Sequence, residues 1–409
     1  IGSSMVTSIY ILADTIMVGQ GVGDAGLAAL TIFMPIVASF FALGLLLGVG
    51  GGVLMSVAKG SGNESLAHKY FSTAMISAAV VSVCFAVFGA IFFDPMMYAL
   101  GADTTNIELV RGYGLCYTVS APLFIFSSSL QSFIRNDKSP RHAMIAVLTG
   151  SGLNILLDYL FIFVFKMGMF GASFATSIGT SITVCILVIH FFTKKNTMRF
   201  SFRFFSIKAL WEIAKCGFSS FLIECANAVL VFVFNHTLLK YIGSVGVTVY
   251  SIMSNVAVVC MSLFNGVTLA AQPIIATNHG ADNHKRVLQV RHIGTITSSV
   301  IAVIIFCVGF FFPDLLIYSY VKGPTPEILE LARYALRIYF FAYLFMNFNI
   351  FFSGYFQSTL RPVAAITIQI LRSLLLSSVL VSVLPMIFGA DAIWYAVPIT
   401  ECITFFVAM

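Results

Sequence analysis

Apolar residues occur in long runs along the whole chain, and short polar breaks separate one run from the next. The runs lack the alternation of a half-buried strand, and they reach the roughly 20 residues that an α-helix needs to cross a bilayer. We therefore expect about twelve spanning helices. Their expected bounds are 1–19, 28–57, 70–93, 113–134, 142–165, 170–193, 216–240, 247–277, 293–312, 334–358, 363–388 and 391–409.

Composition agrees with a membrane location. Of the 409 residues, 59% are hydrophobic and 9% are charged, whereas soluble domains have roughly 45–50% and about 25%. A soluble enzyme, a soluble binding module or a disordered chain is excluded because none could bury this much apolar surface. The spans are helices, since barrel strands would alternate in polarity. We predict an all-α polytopic membrane protein whose first and last helices are clipped, because Ile1 and Met409 both fall inside spans.

The distribution of positive charge predicts the orientation of the chain. Most of the 22 lysines and arginines follow even-numbered spans, and the net charge is +6. Loops rich in Lys and Arg stay on the cytoplasmic side. We therefore expect a multi-pass protein of the plasma or inner membrane with both termini in the cytoplasm. The charge does not suggest a nucleic-acid partner.

An internal repeat divides the chain into halves. At an offset of 220 residues, Gly60 corresponds to Gly280 and Asp94 to Asp314, and further glycines match in the same way. We expect two parallel six-helix lobes related by pseudo-two-fold symmetry, 1–193 and 216–409, joined by a basic cytoplasmic linker, 194–215. Two such lobes are typical of a transporter that rocks around a central cleft.

Four carboxylates fall within the expected spans: Asp14, Asp158, Glu224 and Glu401. Each costs about 2.5–3.5 kcal/mol at the centre of a membrane helix, so each needs a partner, water or a proton. They could cross-link helices in a closed bundle, or they could handle an ion or a proton.

The repeat bears on that choice for the first lobe. Asn154 and Asp158 are four residues apart and share one helix face, but their repeat counterparts are Leu376 and Leu380. Structural cross-links that serve both lobes should recur in both. A polar cluster confined to one lobe therefore favours ion or proton handling.

The second lobe leaves a different question open. Arg372 lies within a span and could neutralise either Glu224 or Glu401, or it could take part in transport. The sequence does not assign the pairing.

Three glycines, Gly44, Gly48 and Gly52, recur every four residues within the second span. A phosphate-binding loop would require a Lys followed by Ser or Thr after them. We interpret them as a face for close helix packing.

Several short motifs, in this order, make the chain resemble the bacterial branch of the MATE (multidrug and toxic compound extrusion) family of transporters. These are Asp14–Gly19, Ala58–Gly62, Arg135–Pro140, Asn154–Asp158, Gly171–Thr176 and Pro398–Glu401. The resemblance covers essentially the whole chain and includes the twelve-span duplication.

The resemblance implies a secondary antiporter that exports organic, mainly cationic, compounds in exchange for Na+ or H+. It implies that Asp14, Asn154, Asp158 and Thr176 form the coupling site, which would hold a monovalent cation if Na+ is the ion. We expect no cofactor beyond the coupling ion, small organic cations or amphipathic drugs as substrates, contact with membrane lipid, and a monomer. The expected substrate cavity is lined by Tyr10, Gln131, Glu224, Asn235, Arg372 and Glu401.

Two alternatives remain: a flippase, and either a membrane-embedded enzyme or a passive channel. A lipid-linked oligosaccharide flippase of the same superfamily would share the lobes, but it would need a cationic cleft for pyrophosphate, and only Arg372 lies clearly within a span. A membrane-embedded enzyme would need a nucleophile–base or metal constellation, which the sequence does not contain. A passive channel would conduct without a counter-gradient.

Overall fold

A computed structural model of the protein describes residues 2–320 and 323–408, with the side chains of 2–9, 11, 12 and 228 excepted. The described residues do not include Ile1 and Met409, where clipped helices were expected, or Lys322, which falls between two expected spans. In the described ranges all regular structure is helical. The prediction of an all-α polytopic protein is confirmed.

The helices fall into two compact units, which are described separately. The first unit comprises Gly2–Phe221 with Gly280–Asp282, and the second comprises Leu222–His279 with the chain from Asn283 onward. The helices up to the unit boundary are α1 Gly2–Gly21, α2 Asp24–Gly60, α3 Glu64–Ile91, α4 Phe93–Ala99, α5 Ile107–Val119, α6 Ala121–Asn136, α7 Pro140–Asp158, α8 Gly168–Ile189 and α9 Ile207–Tyr241. The remaining helices are α10 Ser244–Gly280, α11 His284–Phe311, α12 Pro313–Tyr320, α13 Pro326–Ser358, α14 Pro362–Gln369, α15 Leu376–Phe388 and α16 Ala396–Ala408.

Each expected span corresponds to a helix or to a continuous pair of helices. Ten helical segments in the described ranges are long and apolar enough to cross a membrane, and α5 with α6 makes an eleventh. The helix α1 occupies the place of the first expected span. Two short helices that the hydropathy pattern did not predict, α4 and α12, follow the third and ninth spans.

The expected fourth span, 113–134, is not one straight helix. The helices α5 and α6 meet at Ser120 with a bend of 52°. Pro122 stands in the first turn of α6, and a proline lacks the N–H that a continuous helix would need there. The prolines Pro35 and Pro273 lie inside the unbroken helices α2 and α10.

The connection between the repeats is shorter than the predicted linker 194–215, because α9 already begins at Ile207. The boundary between the compact units falls within this helix, after Phe221. Lys208, Glu212 and Lys215 interrupt the apolar residues at the start of α9, so hydropathy does not extend the expected span back to Ile207.

The repeat is visible in matching contacts within each unit. Asp94 forms an ion pair with Arg111 at 2.5 Å, and its counterpart Asp314 forms one with Arg333 at 2.5 Å. Asn63 and Asn283 both cap the helix that follows them, by accepting from a backbone N–H. Each unit therefore repeats the same devices at the same helix ends.

The glycine face of α2 packs against α6, as predicted. A Cβ added at Gly48 would come within 2.6 Å of the Ser129 Cα, and one at Gly44 within 2.6 Å of the Ser128 Cβ. Only glycine allows these two helices to approach so closely.

Candidate functional site

The candidate site lies inside the first unit, where α7 ends. Asp158 is the last residue of α7, and a single π-helical stretch, Tyr159–Val164, follows it directly. Such local widening of a helix is frequent at functional sites. Asp158 is fully buried, and Asn154, one turn earlier on the same face, is 2% exposed.

Two glycines bring α7 and α8 together beside this face. Gly150 lies one turn before Asn154, and a Cβ added there would come within 2.6 Å of the Gly179 carbonyl oxygen. A Cβ added at Gly179 would in turn come within 2.9 Å of the Asn154 Cβ. The close approach places Asn154 beside Thr176 of α8.

Asn154 and Thr176, which the resemblance assigns to one site, are hydrogen-bonded to each other. The Asn154 Nδ2 donates to the Thr176 Oγ1 at 3.3 Å, and the Thr176 hydroxyl donates to the Ala172 carbonyl at 3.0 Å. The Asn154 amide is thereby held through one of its N–H groups. Its carbonyl oxygen remains available as an acceptor.

Asp14 joins this group from α1, which packs against α7. Its side chain is half-buried, and it lies within electrostatic range of Asp158. Three of the residues that the sequence predicted for the coupling site therefore gather on α7 and α8, and the fourth stands close to them on α1.

The acidic groups at this site have unused acceptors. In the described part of the chain, both oxygens of Asp158 are buried without a hydrogen-bond partner, as are Oδ1 of Asp14 and Oδ1 of Asn154. Among the described residues, neither carboxylate forms an ion pair with a basic side chain. Buried acceptors without donors are costly, so this arrangement suits a cation or a proton.

Tyrosines border the site. Tyr10, one turn before Asp14, is half-buried and within electrostatic range of both carboxylates. Tyr113 and Tyr117 of α5 are buried, with ring centroids 5.6 Å apart, and both lie within electrostatic range of Asp14.

Sequence reasoning did not assign Tyr117, Gly150 or Gly179 to the site. The spacing Gly150-x3-Asn154-x3-Asp158 places all three residues on one helix face, and Tyr113-x3-Tyr117 repeats the same period. That shared four-residue spacing is the signal that could have found Gly150 and Tyr117, whereas Gly179 has no such signal.

Gln131, expected to line the cavity, lies half-buried on α6. Its Nε2 donates to the Ser127 Oγ on its own helix at 3.2 Å. In the described residues it forms no hydrogen bond with the carboxylate group.

The second unit contains a closed ion pair. The Arg372 Nη2 lies 2.7 Å and its Nε 3.0 Å from the Glu401 Oε1, and the two side chains are 4% and 3% exposed. Asn349 donates to the Glu401 Oε2 at 2.7 Å and to its backbone carbonyl at 2.9 Å. The pairing that the sequence left open is therefore with Glu401.

Glu224 and Asn235 both lie half-buried on α9. In the described residues, neither is hydrogen-bonded to the Arg372–Glu401 pair.

These features define a polytopic membrane protein that holds unpaired acidic groups inside one helical unit. The sequence profile of the MatE family matches residues 1–160 and 216–383. The chain belongs to the MatE family of transporters, which confirms the resemblance found in the motifs.

Individual relatives agree with this assignment. The chain is 26% identical to the multidrug export protein MepA of Staphylococcus haemolyticus over 408 residues, covering 99% of this chain and 89% of the relative. It is similar in fold to a MATE transporter solved in complex with MaL6, with a TM-score of 0.93, 21% identity, and coverage of 100% of this chain and 92% of that one. A MOP superfamily transporter from Pyrococcus furiosus gives a TM-score of 0.92 at 22% identity, with the same coverage.

Proposed function

We propose that the protein is a secondary active multidrug efflux antiporter of the cell membrane. It would export organic, mainly cationic, compounds in exchange for Na+ or H+ by alternating access of its two repeats, with both termini in the cytoplasm. The relatives named as multidrug export proteins support the substrate class. The observation that carries the coupling is the pair of carboxylates, Asp14 and Asp158, which have buried oxygens without a hydrogen-bond partner among the described residues.

The coupling would follow from competition for these oxygens. The two carboxylates with the Asn154 carbonyl and the Thr176 hydroxyl supply oxygen ligands of the kind that hard cations prefer, and the same carboxylates could instead take a proton. A bound ion or proton cancels the negative charge that attracts a cationic drug. Binding of one therefore disfavours the other, and each ligand stabilises the conformation that binds it better.

The substrate path would include Tyr10, which lies beside the carboxylates and is only half-buried. Tyr113 and Tyr117, by contrast, are buried, and Tyr117 stacks on Phe124 with ring centroids 4.2 Å apart. The aromatic face of Tyr10 would attract organic cations without requiring fixed hydrogen bonds. Such contacts accept cations of varied shape, which suits a transporter with many substrates.

The buried pair in the second unit weighs against the flippase alternative. Recognition of a pyrophosphate group would need a free guanidinium, and the Arg372 guanidinium is engaged by Glu401.

The deciding experiment is transport by purified protein, taken as a monomer, in proteoliposomes. An organic cation such as ethidium should accumulate against its gradient when a Na+ gradient or a pH gradient is imposed, with the two tested separately. Flux that continues unchanged after both gradients are collapsed would identify a passive channel. Thermal stabilisation by polyprenyl pyrophosphates rather than by organic cations would identify a flippase.

A further inference from the structure

The connection between the repeats and the start of α9, residues 192–215, form a strongly basic surface, named here the basic strip. Its cations are Lys194, Lys195, Arg199, Arg203, Lys208 and Lys215, and all six are exposed. Its one acidic residue, Glu212, accepts a hydrogen bond from the Tyr70 hydroxyl at 2.5 Å. The strip therefore presents positive charge that has no acidic partner within it.

Large apolar side chains alternate with these cations and are exposed as well. Phe192 is 86% exposed, Phe202 77%, Ile207 76% and Trp211 62%. The Lys215 Nζ lies 5.2 Å from the ring centroid of Trp211. In water such side chains would be unfavourable, but aromatic rings beside Lys and Arg are favourable at the boundary between lipid headgroups and acyl chains.

The basic strip is held on the first unit rather than free. At its start, Asp137 accepts from the Thr197 backbone N–H at 3.0 Å and also bonds the Thr197 hydroxyl. Further along, the Ser72 hydroxyl donates to the Arg199 carbonyl at 3.3 Å and accepts from the Ser201 N–H at 3.2 Å.

The last of these anchors joins the strip to α3, where the Thr73 hydroxyl donates to the Phe204 carbonyl at 3.3 Å. Because these hydrogen bonds hold its backbone, the strip does not have to become ordered from a random loop when it binds. Such preorganisation lowers the entropic cost of binding.

We propose that the basic strip binds the headgroups of anionic phospholipids in the leaflet that it faces. Clusters of four to eight Lys or Arg next to a spanning helix suit such lipids, and each cation near an anionic surface contributes roughly fivefold to binding. The exposed aromatic residues would enter the headgroup region beside them. This inference does not depend on which substrate or ion the protein transports.

Trp211 provides the test, because it lies within the strip and the other tryptophan, Trp394, is 1% exposed in the second unit. Trp394→Phe protein would be placed in phosphatidylcholine nanodiscs containing a fixed small fraction of brominated lipid, whose bromine quenches nearby tryptophan. Brominated phosphatidylglycerol should quench Trp211 several-fold more than brominated phosphatidylcholine.

Matched variants identify the cause of any preference. Lys194→Gln/Lys195→Gln should weaken binding of phosphatidylglycerol by roughly 25-fold, about fivefold for each lysine, and so bring its quenching down to that of phosphatidylcholine, whereas Lys194→Arg/Lys195→Arg should keep the preference. The control Lys285→Gln/Arg286→Gln removes an adjacent exposed pair at the start of α11 and should leave quenching unchanged.

Equal quenching by the two lipids would overturn the proposal, since the strip would then meet the membrane through its apolar side chains alone. Absence of quenching by either would overturn it as well, because the strip would face water or a protein partner. Active transport with equal quenching would refute the lipid site alone, and preferential quenching without transport would refute the proposed function alone.

Discussion

The two units treat a buried carboxylate in opposite ways. In the second unit Glu401 receives the Arg372 guanidinium and the Asn349 amide, both within 3.0 Å. In the first unit neither oxygen of Asp158 has a partner among the described residues. A charge inside a membrane protein must be compensated. The residues around Glu401 supply that compensation themselves, whereas the surroundings of Asp158 suit a cation or a proton that comes from outside.

The comparison teaches more because the units are built from the same repeat. Both units contain the same ion pair: Asp94 with Arg111 in the first unit and Asp314 with Arg333 in the second. At the repeat positions of Asn154 and Asp158 the second unit has Leu376 and Leu380. The unpartnered acidic group is therefore an addition to one repeat, as expected of a site with a mobile ligand.

The largest effect expected is on the closed pair. Arg372→Met should lower the free energy of unfolding by about 3–5 kcal/mol, because it leaves the Glu401 carboxylate buried without its cation. The double variant Arg372→Met/Glu401→Leu should recover most of that loss. Denaturant unfolding in mixed micelles measures both. Equal stability of the single and double variants would show that the pair is not the reason for the loss.

Substitution of the buried carboxylate of the first unit, Asp158, should reduce transport without lowering stability. Asp158→Asn should reduce gradient-driven efflux about a hundredfold, since an amide can neither bind a cation by charge nor release a proton. Its thermal midpoint should match or exceed the wild type, because a buried charge has been removed. Asp103→Asn, at an exposed loop position, is the matched control. Wild-type efflux by Asp158→Asn protein would refute the assignment of the site, and the same test applies to Asp14→Asn.

Substitution of an uncharged residue of the candidate site should have a smaller effect. Thr176→Val keeps the shape of the side chain but removes the hydroxyl that accepts from Asn154. We expect roughly a tenfold rise in the Na+ or H+ concentration that gives half-maximal efflux. Thr183→Val, which removes a hydroxyl bonded to the Gly179 carbonyl on the same helix, should leave that concentration unchanged. Equal shifts in both variants would attribute the effect to helix packing.

The smallest effect concerns a third carboxylate, Asp137, which lies just after α6 and outside the spans. Burial alone would raise the pKa of Asp137, but hydrogen bonds from Lys59, Thr197 and His190 outweigh burial and hold that pKa below its usual range. Its contribution is therefore present above the unfolded pKa of about 3.9 and is lost as pH falls through the folded pKa.

The measurement for Asp137 is a pH series of unfolding. Asp137→Asn should be about 1 kcal/mol less stable than the wild type at pH 7. This difference should shrink as the pH falls below about 4. A difference that stays constant down to the lowest pH would contradict a role for the ionised carboxylate.

Hydropathy predicted the helices well because each span must satisfy its own backbone within the bilayer. The bend at Ser120 could not be predicted from hydropathy. Five prolines lie within the predicted spans, and only the structure shows that Pro122 stands where two helices meet at an angle. The start of α9 at Ile207 was missed because its first turns are amphipathic, with Lys208, Glu212 and Lys215 among the apolar residues, and hydropathy alone does not detect such a segment as part of a span.

The sequence by itself determined the class of the protein and its repeat, and it singled out Asn154 and Asp158 as candidate site residues, since long apolar runs and unlike residues at equivalent repeat positions can be seen without coordinates. The tertiary structure decided which charges meet. Arg372 could reach Glu224 or Glu401 by sequence alone, and only the packing of α16 beside the π-helical stretch 370–375 selects Glu401. Likewise, only the structure shows that the Asp158 oxygens have no hydrogen-bond partner among the described residues, because a missing partner is a property of the whole packed environment and not of any one segment.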